Sequence, residues 1–244
     1  MLATSAYPDT LARASRPAEG LELGFAPFQL SGVVYGSLLN HRPALEAQGD
    51  AAHAAPYKAA PLAPVLYLKP RNTLNHHGAV IDLPVGVDAL EVAASLAIVI
   101  GRTACRVPAE QAPAYVAGYT LACDLSVPHA VYYRPSIRQK ALDGSCPVGP
   151  VVVPAGQIAR PDALNLQVWV DDALRQDTDT AERVRGVARL LADVTEFMTL
   201  QPGDLLLLGP SHAAPLARAG QRVRVALQGV GELAFSLRSK AGAA

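Results

Sequence analysis

The sequence predicts an α+β fold in which strands predominate and short helices lie at the periphery. Short apolar segments rich in β-branched residues recur along the chain between glycines, prolines and asparagines, a pattern typical of strands. One long segment, 182–198, carries apolar residues at three- and four-residue spacing, which favours a helix. Strands and helices do not alternate regularly, so the pattern does not indicate repeated βαβ units.

The run 90–101 is the strongest strand signal. It is almost continuously apolar, ends in β-branched residues and stops at a glycine, as a central strand buried on both faces would. The predicted strands are, in order, 28–30, 33–35, 65–68, 79–84, 90–101, 121–126, 151–153, 164–170, a polar strand after the turn at 171–173, 204–208, 222–225 and 233–237. The predicted helices are 40–46, 108–119 and 182–198.

The composition excludes several classes of protein. The chain has 244 residues, of which 50% are hydrophobic, enough for a substantial core. Its 21 basic and 21 acidic residues cancel, which argues against nucleic acid as a partner. No apolar run reaches the roughly 18 residues of a membrane span, so no membrane partner is predicted. Three widely spaced cysteines indicate a reducing compartment, and we predict a cytoplasmic protein. Residues 1–20 are predicted to be a flexible leader and 21–244 a single domain.

The segment 140–150 carries the first candidate site residues. It places Lys140 and Asp143 three residues apart, ahead of a Pro-x-Gly-Pro break. A lysine beside a carboxylated substrate can neutralise its charge or relay a proton, so these two are the candidate catalytic residues. The alternative for Lys140 is an exposed surface lysine.

Three further residues are candidates for substrate binding. Lys69 and Arg71 follow a predicted strand, where two cations can receive carboxylates; a solvated loop is the alternative. Asp124 lies near the end of another predicted strand. Its alternative is a structural aspartate that bonds a loop.

Together these segments resemble motifs of the fumarylacetoacetate hydrolase superfamily. Segments 118–126, 140–150 and 202–204 resemble its G-Y-x-x-x-N-D-x-S, K-x-x-D-x-x-x-P-x-G-P and P-G-D motifs in the family's order, within about 36–237, with Cys123 at the asparagine position of the first. The resemblance implies mixed, twisted sheets of the superfamily's C-terminal-domain type. It also implies an enzyme that cleaves or isomerises small oxo acids on a divalent metal.

The metal-ligand motif of the superfamily is largely missing. Its Glu-x-Glu pair, which stands just before a run like 96–101, is replaced by Ala93 and Ser95. Period-two spacing would send both carboxylates to one face of the strand. With Asp124 they would form an oxygen site for Mg²⁺ or Mn²⁺. Glu91 shares that face but lies roughly 6–7 Å from Ala93. The sequence therefore predicts an incomplete metal site and assigns no cofactor.

A narrower resemblance is to the first half of the isomerase/decarboxylases of homoprotocatechuate (4-hydroxyphenylacetate) breakdown. The segments that carry it are Asn40-His41-Arg42, Pro56-Tyr57-Lys58-Ala59, Lys69-Pro70-Arg71-Asn72-Thr73, Tyr133-Arg134-Pro135 and 140–149. It implies decarboxylation of 5-oxopent-3-ene-1,2,5-tricarboxylate and isomerisation of 2-hydroxyhepta-2,4-dienedioate. The alternatives are a structural subunit that supports a metal-competent homologue and another oxo-acid hydrolase. The implied partners are small di- and tricarboxylate oxo acids and either a second copy of the chain or a homologous metal-binding subunit.

Overall fold

The computed structural model describes residues 24–25, 28–31, 33–129 and 136–239. The predicted leader and the Tyr133-Arg134-Pro135 segment lie outside the described residues. Within the described ranges, no helix is long and apolar enough to cross a membrane.

Strands make up most of the regular structure. They are β1 Gly24–Phe25, β2 Phe28–Gln29, β3 Val34–Leu38, β4 Val65–Lys69, β5 Leu74–His76, β6 Val80–Leu83, β7 Ala89–Ile100, β8 Val116–Ser126, β9 Cys146–Val148, β10 Val153–Pro154, β11 Asn165–Val170, β12 Ala173–Asp179, β13 Leu205–Leu207, β14 Leu216–Arg218, β15 Arg222–Leu227 and β16 Gly231–Ser239. The α-helices are α1 Arg42–Glu46, α2 Ile137–Lys140 and α3 Val187–Phe197. The 3₁₀ helices are Gly49–Ala52, Arg71–Thr73, Ala109–Tyr115 and Ala155–Gln157.

Two mixed sheets form the body of the fold. The larger has nine strands in the order β4-β3-β13-β7-β8-β9-β5, with β10 beside β8 and β14 beside β7. The smaller has five strands in the order β12-β11-β15-β16-β6. Each contains a parallel pair among antiparallel ones, such as β13 with β3 and β16 with β6. The predicted α+β fold with predominant strands is confirmed.

Strand β7 is central to the larger sheet, as its apolar sequence predicts. Its even-numbered side chains, Leu96 and Ile98 among them, enter the main core between the two sheets. On the opposite face Ala97 and Val99 join a smaller apolar cluster. Since side chains alternate along a strand, that second face also carries Glu91, Ala93 and Ser95. The candidate ligand positions therefore share one side of the sheet.

Two predicted helices differ from the structure. The predicted helix 108–119 is a 3₁₀ helix followed by β8, which begins at Val116. Pro113 removes a helical donor, and β8 gains a long pairing with β7 instead. The predicted helix 182–198 begins only at Val187, whose N–H donates to Asp162 Oδ1 at 2.8 Å. That carboxylate acts as a cap from another segment, which local spacing cannot reveal.

Candidate active site

A cleft of ≈ 270 Å³ opens on the face of the larger sheet that carries Glu91 and Ala93. The rest of its polar wall is formed by Ser126 at the end of β8, by His129, by Lys140 and by the segment 210–214. Most small-molecule sites have volumes from about 300 Å³ upward. The cleft therefore suits a small acid better than a large cofactor.

A buried ion-pair system lies beneath this cleft. Lys69 Nζ is 2.8 Å from Asp124 Oδ1, and Lys140 Nζ is 2.6 Å from Asp124 Oδ2. Lys69 also donates to Ser145 Oγ at 2.9 Å and to the carbonyl oxygens of Leu125 and Lys140. Its side chain is 0% exposed, so these acceptors stabilise a cation that water does not reach. Asp124 and the two lysines, three predicted site residues, thus meet in one system.

Asp124 remains ionised in this environment. Its burial acts to raise the pKa, but the charges and hydrogen bonds of the two lysines outweigh that effect and lower the pKa to about 2. Two ammonium groups share this single carboxylate. One carboxylate therefore balances only one of the two ammonium groups, and Lys140 is the one of the two lysines that lines the cleft.

The Tyr67 ring holds Lys140 in place. Lys140 Nζ lies 4.5 Å from the centre of the ring, a cation–π contact. Gly36 is the register partner of Tyr67 on the neighbouring strand, and a Cβ at Gly36 would overlap the ring. Burial, and then the Asp124 charge, raise the pKa of Tyr67 well above its usual value, so the phenol stays neutral beside the ammonium.

Two titratable side chains of the cleft, Glu91 and His129, were not predicted as site residues. Glu91 Oε2 is 3.5 Å from Ser126 Oγ. Burial raises the pKa of Glu91, although His129, when its ring is protonated, and the Lys140 charge oppose the rise. His129 Nδ1 lies 2.8 Å from the carbonyl oxygen of Val127. A carbonyl can only accept, so Nδ1 carries a proton, and in the neutral ring Nε2 carries the lone pair.

The residues present do not fit a divalent cation. Ala93 lies directly opposite Asp124 in the β7–β8 register and offers only a methyl group. Ser95 Oγ donates to Leu96 O at 2.8 Å and accepts from the Gly209 N–H at 3.0 Å. Both Asp124 oxygens accept from lysine ammonium groups. An oxygen site for Mg²⁺ needs several carboxylates or waters, and here lysine cations take the one carboxylate at the predicted position.

Two predicted site residues lie apart from the cleft lining. Asp143 is exposed, and its Oδ1 accepts from Asn72 Nδ2 at 2.7 Å. Arg71 is exposed in the 3₁₀ helix Arg71–Thr73. The structure thus brings together Lys69, Lys140 and Asp124, but it joins neither Asp143 nor Arg71 to them.

Comparison with known proteins identifies the family. Residues 33–238 match the model of the fumarylacetoacetate (FAA) hydrolase C-terminal family. The chain belongs to this family. A 4-hydroxyphenylacetate degradation bifunctional isomerase/decarboxylase from Escherichia coli is 38% identical over 200 residues, which are 82% of this chain and 46% of that protein. The chain therefore spans about half the length of this relative.

Solved structures of the family share the fold. The 5-carboxymethyl-2-hydroxymuconate delta-isomerase of Mycobacterium smegmatis superposes with a TM-score of 0.72 and 28% identity, covering 87% of this chain and 80% of that one. The 2-hydroxyhepta-2,4-diene-1,7-dioate isomerase of Mycobacterium marinum gives a TM-score of 0.70 and 28% identity, covering 86% and 76%. Both are isomerases by name.

One sequence signal could have revealed Glu91 as a cleft residue. Glu91 is two residues from Ala93, so strand alternation places it on the same face as the candidate ligand positions. Its distance from the missing metal ligands does not bear on whether it lines a cleft. His129 lies in an irregular segment after β8, where no periodicity indicates which way a side chain points.

Proposed function

We propose that this chain is a decarboxylase/isomerase unit acting on 5-oxopent-3-ene-1,2,5-tricarboxylate and 2-hydroxyhepta-2,4-dienedioate. The observation that carries the proposal is the Lys140 ammonium on the cleft wall, which shares its one ion-pair partner, Asp124, with Lys69. Such a site attracts polycarboxylate substrates and stabilises an oxyanion that develops next to it. The names of the E. coli relative and of the M. marinum isomerase support this choice of reaction.

In the decarboxylation, the carboxylate on C2 of the tricarboxylate leaves as CO₂. The electron pair of the broken C–C bond moves through the neighbouring double bond to the oxo oxygen, which becomes a dienolate oxygen. Lys140, which lines the cleft, would stabilise that oxygen with its charge. A proton taken up from solvent water then adds to the oxygen and gives 2-hydroxyhepta-2,4-dienedioate.

In the isomerisation, one proton leaves the C2 hydroxyl and one is added to C5. His129, which lines the cleft, would accept the first proton on its imidazole ring. Glu91, whose pKa is raised by burial, can supply the second. The product is 2-oxohept-3-enedioate, and a proton passed from His129 to Glu91 restores both groups. No proton is gained or lost overall.

The test follows the ultraviolet absorbance of 2-hydroxyhepta-2,4-dienedioate as it ketonises, with the spontaneous rate subtracted. We expect the purified chain to accelerate the decay in the presence of a chelator. Lys140→Met should lower this rate by a factor of about ten or more, since the charge next to the oxyanion is removed. Lys58→Met, which removes an exposed lysine, serves as the control. Equal rates for both variants would contradict the assignment to Lys140.

A supporting subunit for a metal-competent homologue is the second candidate function. It is favoured by the two lysines that take both oxygens of Asp124 and by the alanine opposite it. The same assay separates the two functions. No acceleration by the chain alone, followed by a higher rate when it is added to a homologue with an intact Glu-x-Glu pair, would support the second candidate and overturn the first.

A further inference from the structure

A buried guanidinium lies directly behind the cleft wall formed by the segment 210–214. Arg183 is 5% exposed; its Nη1 donates to Pro210 O at 3.1 Å and its Nη2 to Ser211 Oγ at 3.1 Å. Across the described ranges, no carboxylate forms an ion pair with it. Within the same ranges its buried Nε has no hydrogen-bond partner. A buried cation without a direct ion pair is costly, so an anion that reaches its hydrogen-bonded neighbour Ser211 would be stabilised by it.

Nearby acidic groups reduce this positive charge only in part. Burial lowers the pKa of Arg183 to about 10, while the charges of Asp179, Glu182 and Asp162 oppose the lowering. Asp179 Oδ1 accepts the backbone N–H groups of Ala181 and Glu182, and Asp162 Oδ1 accepts that of Val187. Asp179 thus stabilises a chain turn, Asp162 caps α3, and Glu182 Oε2 lies 3.5 Å from His41 Nε2. The guanidinium stays charged at neutral pH.

Ser211 lies between the Arg183 guanidinium and the cleft. Its Oγ accepts from Arg183 Nη2 at 3.1 Å and from Thr178 Oγ1 at 3.2 Å. Arg183 can only donate, so it occupies one lone pair of Ser211 Oγ and leaves the hydroxyl proton for an acceptor other than Arg183. Ser211 also lines the cleft, where its hydroxyl can donate this proton to a ligand while Thr178 Oγ1, 3.2 Å away, donates to it. A cation behind the donor makes an anionic acceptor the best partner.

His41 holds the same segment without adding charge. Its Nδ1 accepts the backbone N–H of His212 at 3.0 Å, so the ring proton is on Nε2. Burial, and then the charge of Arg183, lower the pKa of His41 to about 4. The ring is therefore neutral at neutral pH and fixes the backbone next to Ser211. The hydroxyl donor is thus built into a supported position.

We propose that Ser211, backed by Arg183, binds the second carboxylate of a dicarboxylate whose other end faces Lys140. The cleft would then select dicarboxylates over monocarboxylates of equal length. The assignment deepens the proposed function and rests on it for the identity of the substrate. Binding of a non-reactive acid tests it without turnover.

The experiment is isothermal titration calorimetry with pimelate, a saturated seven-carbon diacid, and with heptanoate, its monocarboxylate counterpart. Wild-type protein should bind pimelate more tightly than heptanoate. Ser211→Ala should lower the affinity for pimelate by about tenfold or more, the range for a hydrogen bond to a charged group, and should leave heptanoate nearly unchanged. Arg183→Met should act in the same direction. Arg189→Met removes an exposed arginine paired with Asp193 and is the matched control.

Two results would overturn the proposal: equal binding of the two acids by wild-type protein, or an unchanged pimelate-to-heptanoate ratio in Ser211→Ala. Circular dichroism checks the fold of each variant, and Ser211→Ala decides the matter if Arg183→Met does not fold. If the protein binds pimelate selectively but does not accelerate ketonisation, the carboxylate site at Ser211 is supported and the proposed function is wrong. If it accelerates ketonisation without selecting pimelate, the proposed function is supported and the site at Ser211 is wrong.

Discussion

Asp124 is the centre of the buried ion-pair system, because its single carboxylate pairs with two buried ammonium groups. Its side chain is 1% exposed, and the side chains of Lys69 and Lys140 are 0% and 7% exposed. Removing an ion from water costs several kcal/mol. The three charges can therefore stay buried only together.

Replacing this carboxylate tests the ion-pair system. We expect Asp124→Asn to lower the free energy of unfolding by about 3–5 kcal/mol, because two ammonium groups would remain buried without a counter-charge. Urea unfolding at neutral pH measures the change. Asp82→Asn is the matched control, since it breaks an exposed pair with Arg238 and should cost less than about 1 kcal/mol. Similar small losses in both variants would show that the buried pairs do not stabilise the protein.

The stability that Asp124 contributes should depend on pH, and comparison of wild type with Asp124→Asn measures it. The ordinary pKa of an aspartate is 3.8, and burial opposed by the two lysines leaves that of Asp124 at about 2. Because the folded pKa is depressed, the stabilisation is complete above about pH 4 and is lost as the pH falls toward 2. The stability difference between wild type and Asp124→Asn should therefore shrink over this window. A difference that stays constant there would contradict the assignment.

At the scale of elements, the pairing of β3 with β4 positions Lys140, the candidate catalytic lysine. Register places Gly36 beside Tyr67, and the ring covers the space that a side chain at Gly36 would occupy. The same ring contacts the Lys140 ammonium. A glycine on one strand thus lets an aromatic ring on the next support a cation from α2.

A methyl group at Gly36 would disturb this support. We expect Gly36→Ala to cost about 1–3 kcal/mol, as overpacking does, and to slow ketonisation because the ring must move away from Lys140. Denaturant unfolding and the absorbance assay measure the two effects. Gly156→Ala is the control, since a Cβ there meets no atom within 4 Å. Equal behaviour of the two variants would mean that the ring can move without consequence.

At the scale of the whole molecule, the two sheets share one core. Leu121 of β8 and Leu233 of β16 belong to the same buried cluster although their strands lie in different sheets. The cleft lies on the other face of the larger sheet, so the core supports the strands that carry the site residues. Loss of core packing should therefore affect the whole fold at once.

Two leucines separate core packing from surface effects. Leu121 is 1% exposed, and Leu121→Ala should lower the free energy of unfolding by about 2–5 kcal/mol through lost burial and a cavity. Leu62 is 94% exposed, and Leu62→Ala should change it by no more than about 0.5 kcal/mol. Chemical denaturation should show one transition in both. A separate early transition in Leu121→Ala would contradict a shared core.

Part of this arrangement follows from local sequence. The run 90–101 predicted β7 within one residue at each end, because an uninterrupted apolar segment with β-branched residues has few other stable environments. The loss of the Glu-x-Glu pair at Ala93 and Ser95 is a matter of residue identity and needs no structure. Lys69, Lys140 and Asp124 were predicted as candidate site residues from the sequence, but the sequence did not predict that they would contact one another.

The contacts among site residues depend on chain folding over long separations. Lys69 and Asp124 are 55 positions apart, and Arg183 and Ser211 are 28 apart. Periodicity reports only the neighbours of a residue on its own strand or helix, so it could not show that two lysines would take the oxygens of Asp124. Nor could it show that Asp143 would turn toward Asn72 or that an arginine would lie behind Ser211. These pairings exist because burial of charge admits only arrangements in which distant partners meet.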